Sequence, residues 1–138
     1  MAKGYRQMLA EVEAVVTTLD VAAARALQGD PGVAFIDLRD PREIKREGMI
    51  EGAAHCPRGM LDFWIDSESP YHRPLFAEDR LFVFYCAGGW RSALAAQTAQ
   101  EMGLARVAHF GGGLTAWKAT GAPVVAPPAR RTAQTGEG

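Results

Sequence analysis

A single α/β domain, with a small, mainly parallel sheet flanked by helices on both faces, is what this sequence predicts, and three observations carry the prediction. Residues 33–38 and 81–85 are apolar runs of strand length, the pattern of strands covered on both faces. Stretches with helical spacing or helix caps alternate with these runs, which is the order that builds a parallel sheet. The 138 residues fit one domain rather than two, and 48% hydrophobic with 22% charged residues is the composition of a chain that folds and buries a core.

Residues 1–18 read as an N-terminal amphipathic helix. Tyr5, Met8, Leu9, Val12, Val15 and Val16 recur at the spacing that lays one apolar stripe along a helix. That stripe has two candidate partners, the sheet of its own domain or a second copy of the chain in a homodimer. The folded domain is expected over residues 19–126. Asp20 caps a helix through Ala-rich Val21 to Leu27, which Gly29 and Pro31 end. The strand at 33–38 follows, then a short helix with Asp40 as cap and Pro41 at its first position. Gly48, Gly52 and Pro57 leave room only for a short strand within 50–56, and Gly59 to Trp64 for a helical turn. The strand at 81–85 runs straight into Cys86, a helix is expected from about Ser92 to Met102, and Gly103 ends it. Val107 to Phe110 reads as a further strand, Gly111 to Gly113 as a sharp turn and Leu114 to Ala119 as a last helix. Residues 127–138, rich in Pro, Ala, Thr and Gly, read as a disordered tail.

Fifteen Lys plus Arg balance sixteen Asp plus Glu, a net charge of -1 without long runs of one sign, so neither nucleic acid nor an anionic membrane is an expected partner. No stretch approaches the ~18 apolar residues of a membrane span, and Glu11 and Glu13 interrupt the apolar stretch that a secretion signal needs after Lys3 and Arg6. The expected location is cytoplasmic. Two cysteines are too few for a disulfide scaffold, and His55, His72 and His109 share no metal spacing and read as structural or surface residues. That favours a reactive thiol in a reducing compartment.

Cys86 stands at the end of a buried strand, where α/β sheets bind ligands. Gly88 and Gly89 after it permit positive φ, so the loop can curl its N–H groups inward around the sulfur. The following helix points its positive N-terminal end at the same place, which pushes a thiol toward thiolate. Arg91 adds a charge and a two-pronged donor for an oxyanion. Cys86 is therefore the candidate nucleophile, with Ala87, Gly88, Gly89, Trp90 and Arg91 as the candidate substrate-binding loop. Arg58, next to Pro57, is a further candidate anion contact, with a solvated loop arginine as the alternative. Trp90 either walls the acceptor site or packs on the 58–74 loop. Cys56 fills core or serves as a resolving thiol.

The segment Cys86-Ala87-Gly88-Gly89-Trp90-Arg91, followed by Ser92, resembles the active-site loop of rhodanese-family sulfurtransferases. Asp37-Leu38-Arg39 resembles the family's early Asp-x-Arg motif, the stretch from Gly48 to Ala53 with Pro57 its Gly-His-Ile-Pro-Gly-Ala segment, and Gly112-Gly113 with Trp117 its late Gly-Gly-x-x-x-Trp. The four segments run in order from Asp20 to Pro123. Two positions depart from the pattern, Met49 in place of His and Glu51 in place of Pro. The resemblance implies a rhodanese-like fold and transfer of sulfane sulfur through a Cys86 persulfide, from an anionic donor such as thiosulfate to cyanide or a thiol acceptor. That acceptor can be small, thioredoxin-like or a dedicated sulfur carrier. No cofactor or metal enters this chemistry. A thiol redox sensor and a non-catalytic binding module are the alternatives. Phosphatases and arsenate reductases of this fold carry a loop one residue longer between Cys and Arg.

Overall fold

The computed structural model describes residues 2–128. All five strands are parallel, in the order β1-β5-β4-β2-β3, with β1 Thr17–Leu19, β2 Val33–Asp37, β3 Ala54–His55, β4 Leu81–Tyr85 and β5 Val107–Phe110. The two apolar runs form the central strands β2 and β4, paired in register from Val33 opposite Leu81 to Asp37 opposite Tyr85. From β2 the chain moves outward to β3, and from β4 it moves outward the other way to β5. The crevice beyond the carboxyl ends of β2 and β4 is thus the switch point at which open α/β sheets bind ligands.

Helices α1 (Tyr5–Val15), α4 (Leu61–Ile65) and α5 (Trp90–Glu101) cover one face; α2 (Val21–Leu27) and α6 (Gly113–Ala119) cover the other. Helix α3 (Pro41–Glu47) follows β2 with a complete capping box, in which Asp40 accepts from Arg42 N–H and Glu43 accepts from Asp40 N–H. On the first face Val12, Val16, Ala93, Ala96 and Ala99 pack on Ile36, Phe82, Phe84 and Val107. On the second, fully buried Trp117 packs edge-on against Phe110 and donates its indole N–H to Pro123 O at 2.7 Å.

The N-terminal stripe divides. Val12 and Val16 are buried in the domain's own core with Leu9 packed against it, whereas Tyr5, Met8 and Val15 stay exposed. The chain then continues into β1, which pairs with β5 and was not expected, so α1 enters the sheet's own layer structure. Helix α5 starts at Trp90, two residues earlier than expected, and two short 3₁₀ turns, Arg58–Met60 and Pro74–Ala77, organise the long loop. Met49 is buried and exchanges backbone hydrogen bonds with Val125 at 2.9 Å each way, tying the C-terminal segment back onto the domain. The tail expected over 127–138 falls, from residue 129 onward, outside the described residues.

Candidate active site

Central strand β4 delivers Cys86 to the switch point with its side chain 1% exposed. The loop after it turns because Gly89 adopts φ +102°, and there the backbone passes so close to Gly111 that a Cβ on Gly89 would lie 2.0 Å from Gly111 O. Gly88 is different from the expectation: its φ is not positive and a Cβ would meet nothing within 4 Å, so the turn rests on Gly89 alone. Gly89 N–H donates to Cys86 Sγ at 3.1 Å and is also the cap of α5, so the sulfur sits at that helix's positive end.

The other side of the loop is held by α6. Its first free N–H groups, those of Leu114 and Thr115, donate to the carbonyls of Cys86 and Ala87 at 2.9 and 3.1 Å. Gly113, at φ +60°, permits the approach, since a Cβ there would come within 2.5 Å of both carbonyl oxygens. The Cys86 and Ala87 carbonyls are thus drawn away toward α6, while the Gly89 N–H points at the sulfur.

Cys86, Gly88, Trp90 and Arg91 line one open cavity of about 460 Å³. Trp90 is 62% exposed and packs on Tyr5 of α1 with ring centroids 4.8 Å apart, not on the 58–74 loop. Arg91 is bound two-pronged to Glu43, Nη1 to Oε2 at 2.8 Å and Nη2 to Oε1 at 3.0 Å, and this guanidinium, despite partial burial, pulls the Glu43 carboxyl down to about 2. Arg58 does not line this cavity; it donates to Asp62 at 2.9 Å and to Thr98 at 3.3 Å, pinning α4 to α5.

Residues given no chemical role from sequence extend the surroundings of the sulfur. Buried Ser92 places its Oγ 3.6 Å from Cys86 Sγ and 3.2 Å from both Gly89 O and His109 Nδ1. His109 Nε2 in turn meets Thr18 Oγ1 at 3.1 Å. The signal for Ser92 was its place one residue after Arg91; for Glu43 and His109 only the fold brings them near.

Cys56 belongs to the first-face core and borders a separate cavity of about 250 Å³ with Trp64, Arg73 and Phe76. Burial pushes its thiol up to about 12. His55 and Tyr85 both stand level with Asp37, on either side of β2, so Cys56 and Cys86 follow two strand spacings apart, roughly 10 Å. A disulfide spans at most about 7 Å between Cα atoms, so the two thiols do not bridge in this fold, and both are free. Among the described residues no three His, Cys, Asp or Glu side chains converge to hold a metal ion, and no helix is long and apolar enough to cross a membrane.

The family model of the rhodanese-like domain matches residues 20–120. The chain belongs to the rhodanese-like family. A sulfurtransferase of Allochromatium vinosum is 37% identical over 95 residues, 69% of this chain and 80% of that protein. Rhodanese-like architecture recurs in the human single-domain sulfurtransferase, at 25% identity and TM-score 0.63 over 75% of this chain and 96% of that one. A Rhodopseudomonas palustris protein of unknown function, described as a "possible tyrosine phosphatase", is 54% identical with TM-score 0.87, over 90% of this chain and 96% of that one. As a rhodanese-like domain the chain is of the sulfurtransferase family, with the parallel α/β fold of its relatives.

Proposed function

We propose that this rhodanese-like domain transfers sulfane sulfur by two displacements at Cys86, acting in the reducing cytoplasm where its two thiols stay free. The observation that carries the reading is the seat of Cys86 Sγ: under the Gly89 N–H, at the head of α5, in one cavity with Arg91. The Cys86 thiolate attacks the outer sulfur of thiosulfate; the new S–S bond forms as the bond to the sulfonate breaks, and sulfite leaves with the electron pair. The persulfide anion occupies the space that the N–H side of the loop faces. Cyanide or an acceptor thiolate then takes the outer sulfur and regenerates Cys86. Arg91 receives the sulfonate end of the donor, which competes with Glu43 for the guanidinium.

The description of the Rhodopseudomonas palustris protein raises phosphoryl chemistry as the second reading. Loop size speaks against it: four residues separate Cys86 from Arg91, and the loop closes a single N–H onto the sulfur, whereas a tetrahedral oxyanion needs a wider ring of donors. Intact mass decides. Reduced protein treated with thiosulfate is expected to gain one sulfur atom that cyanide removes; Cys86→Ala is expected to gain none, and Arg91→Ala to need far more thiosulfate for the same gain. Hydrolysis of an aryl phosphate without any sulfur gain would replace this reading by the second.

A further inference from the structure

The loop explains how an anionic sulfur is held, but not where the proton of a buried thiol goes. Arg91, the cation of the loop, is held two-pronged by Glu43 and also interacts with Cys86, but a guanidinium has no acceptor that could take the proton. A continuous row of hydrogen-bonding side chains leads away from the sulfur instead: Cys86 Sγ, Ser92 Oγ, His109 Nδ1, then His109 Nε2 to Thr18 Oγ1, with steps of 3.6, 3.2 and 3.1 Å. The first three are buried and Thr18 is exposed, so the row runs from the core to solvent.

We infer that His109, acting through Ser92, is the positioning base that receives the Cys86 proton and so sets the thiolate population. The inference rests on Cys86 being the reacting thiol. The step is balanced. The S–H bond breaks and its proton passes to Ser92 Oγ, while the Ser92 hydroxyl, swung from Gly89 O to Nδ1, gives its own proton to the ring. Neutral Cys86 and imidazole become thiolate and imidazolium, with Nε2–H donating to Thr18. Afterward Ser92 O–H donates to the thiolate beside Gly89 N–H.

The charged and titratable groups facing this row are Glu13 from α1, Asp20 after β1, Cys86 from the loop and Arg91 from α5. Burial lowers the affinity of His109 for a proton, so the resting ring is neutral with one nitrogen open as an acceptor, though a weaker base than a free imidazole; the Glu13 carboxylate acts in the opposite direction, favouring the imidazolium once formed. Ring, Glu13, Asp20 and Thr18 share a cavity of about 500 Å³ between α1 and the loop, which connects the site to water. Helix α1 therefore contributes a charge to the chemistry of a cysteine that it does not touch.

The test reads the thiolate directly and needs no sulfur transfer: the rate of Cys86 alkylation by iodoacetamide against pH, resolved by peptide mass. Relative to wild type, His109→Asn and Ser92→Ala are expected to raise the midpoint by about one unit, an approximately tenfold slower reaction at neutral pH, with rates converging at alkaline pH. Glu13→Gln, an exposed change, is expected to shift it in the same direction by less. An unmoved midpoint in folded His109→Asn overturns the inference; should that variant not fold, an unmoved midpoint in Glu13→Gln overturns it. An unmoved profile in a protein that gains sulfur from thiosulfate removes the relay and leaves the sulfur-transfer reading standing. A shifted profile without sulfur gain does the reverse.

Discussion

Gly88 and Gly89 are chemically identical neighbours with unequal duties. Only Gly89 takes positive φ, and only there would a side chain collide with the backbone of Gly111. That unequal division was not legible in sequence, because a Gly-Gly pair says that the loop can turn without saying which residue turns it; the contact that decides lies 22 residues further on, in the glycine turn after β5. Gly88→Ala is accordingly expected to fold with nearly wild-type stability and to retain sulfur loading. Gly89→Ala must move either the loop or the Gly111 turn, and is expected to lose loading together with ~1–3 kcal/mol of stability. Urea midpoints and thiosulfate mass shifts of the pair check this. The place of Cys86 at the end of β4 was legible from the apolar run before it, whereas the approach of His109, read as a structural or surface residue, to Ser92 was not, because nothing in its neighbourhood along the chain names Ser92 as its partner.

At the scale of elements, the reading from sequence succeeds where a local signal is strong. The two apolar runs become the central strands, and Asp40-Pro41 and Asp20 cap the helices that follow them. It misses β1, because Thr17-Thr18-Leu19 carries no alternation of its own and becomes a strand only by pairing with Ala108 to Phe110. The turn after β2 shows what a motif supplies physically. Arg39 is 1% exposed and binds Asp37 twice, at 3.0 and 2.7 Å, while also donating to Gly48 O at 2.6 Å. His55 closes the knot on Arg39 O at 2.7 Å. This pair fixes the path from β2 into α3, and hence the position of Glu43 opposite Arg91. Arg39→Leu leaves Asp37 as a buried carboxylate without its partner and is expected to cost about 3–5 kcal/mol in urea denaturation. The double change Asp37→Leu with Arg39→Leu is expected to recover part of that loss, since no uncompensated charge remains.

Across the whole molecule, the two halves of the sheet on either side of the switch point are joined at the surface by α3. Glu43 reaches Arg91 on α5, and Glu47 reaches Lys118 on α6 at 2.8 Å. Together the two ion pairs tie α3 to α5 and α6, and because Arg91 also lines the Cys86 cavity, the first of them couples stability to the state of the site. The Glu43 carboxyl is held at about 2, by Arg91 first, against an ordinary 4.5. A depressed carboxyl stabilises the fold in full above its unfolded value and loses that contribution as pH falls through the folded one. Wild type is therefore expected to lose stability between pH 4.5 and about 2, and Glu43→Gln, which has no such proton to bind, to show a shallower fall of its urea midpoint across that window. The same substitution releases Arg91 from its partner at neutral pH. If Glu43 and the donor compete for one guanidinium, Glu43→Gln lowers the thiosulfate concentration needed for half-maximal sulfur loading. If that concentration is unchanged while the acid limb flattens, Glu43 is a tie of the fold and Arg91 does not wait for the donor.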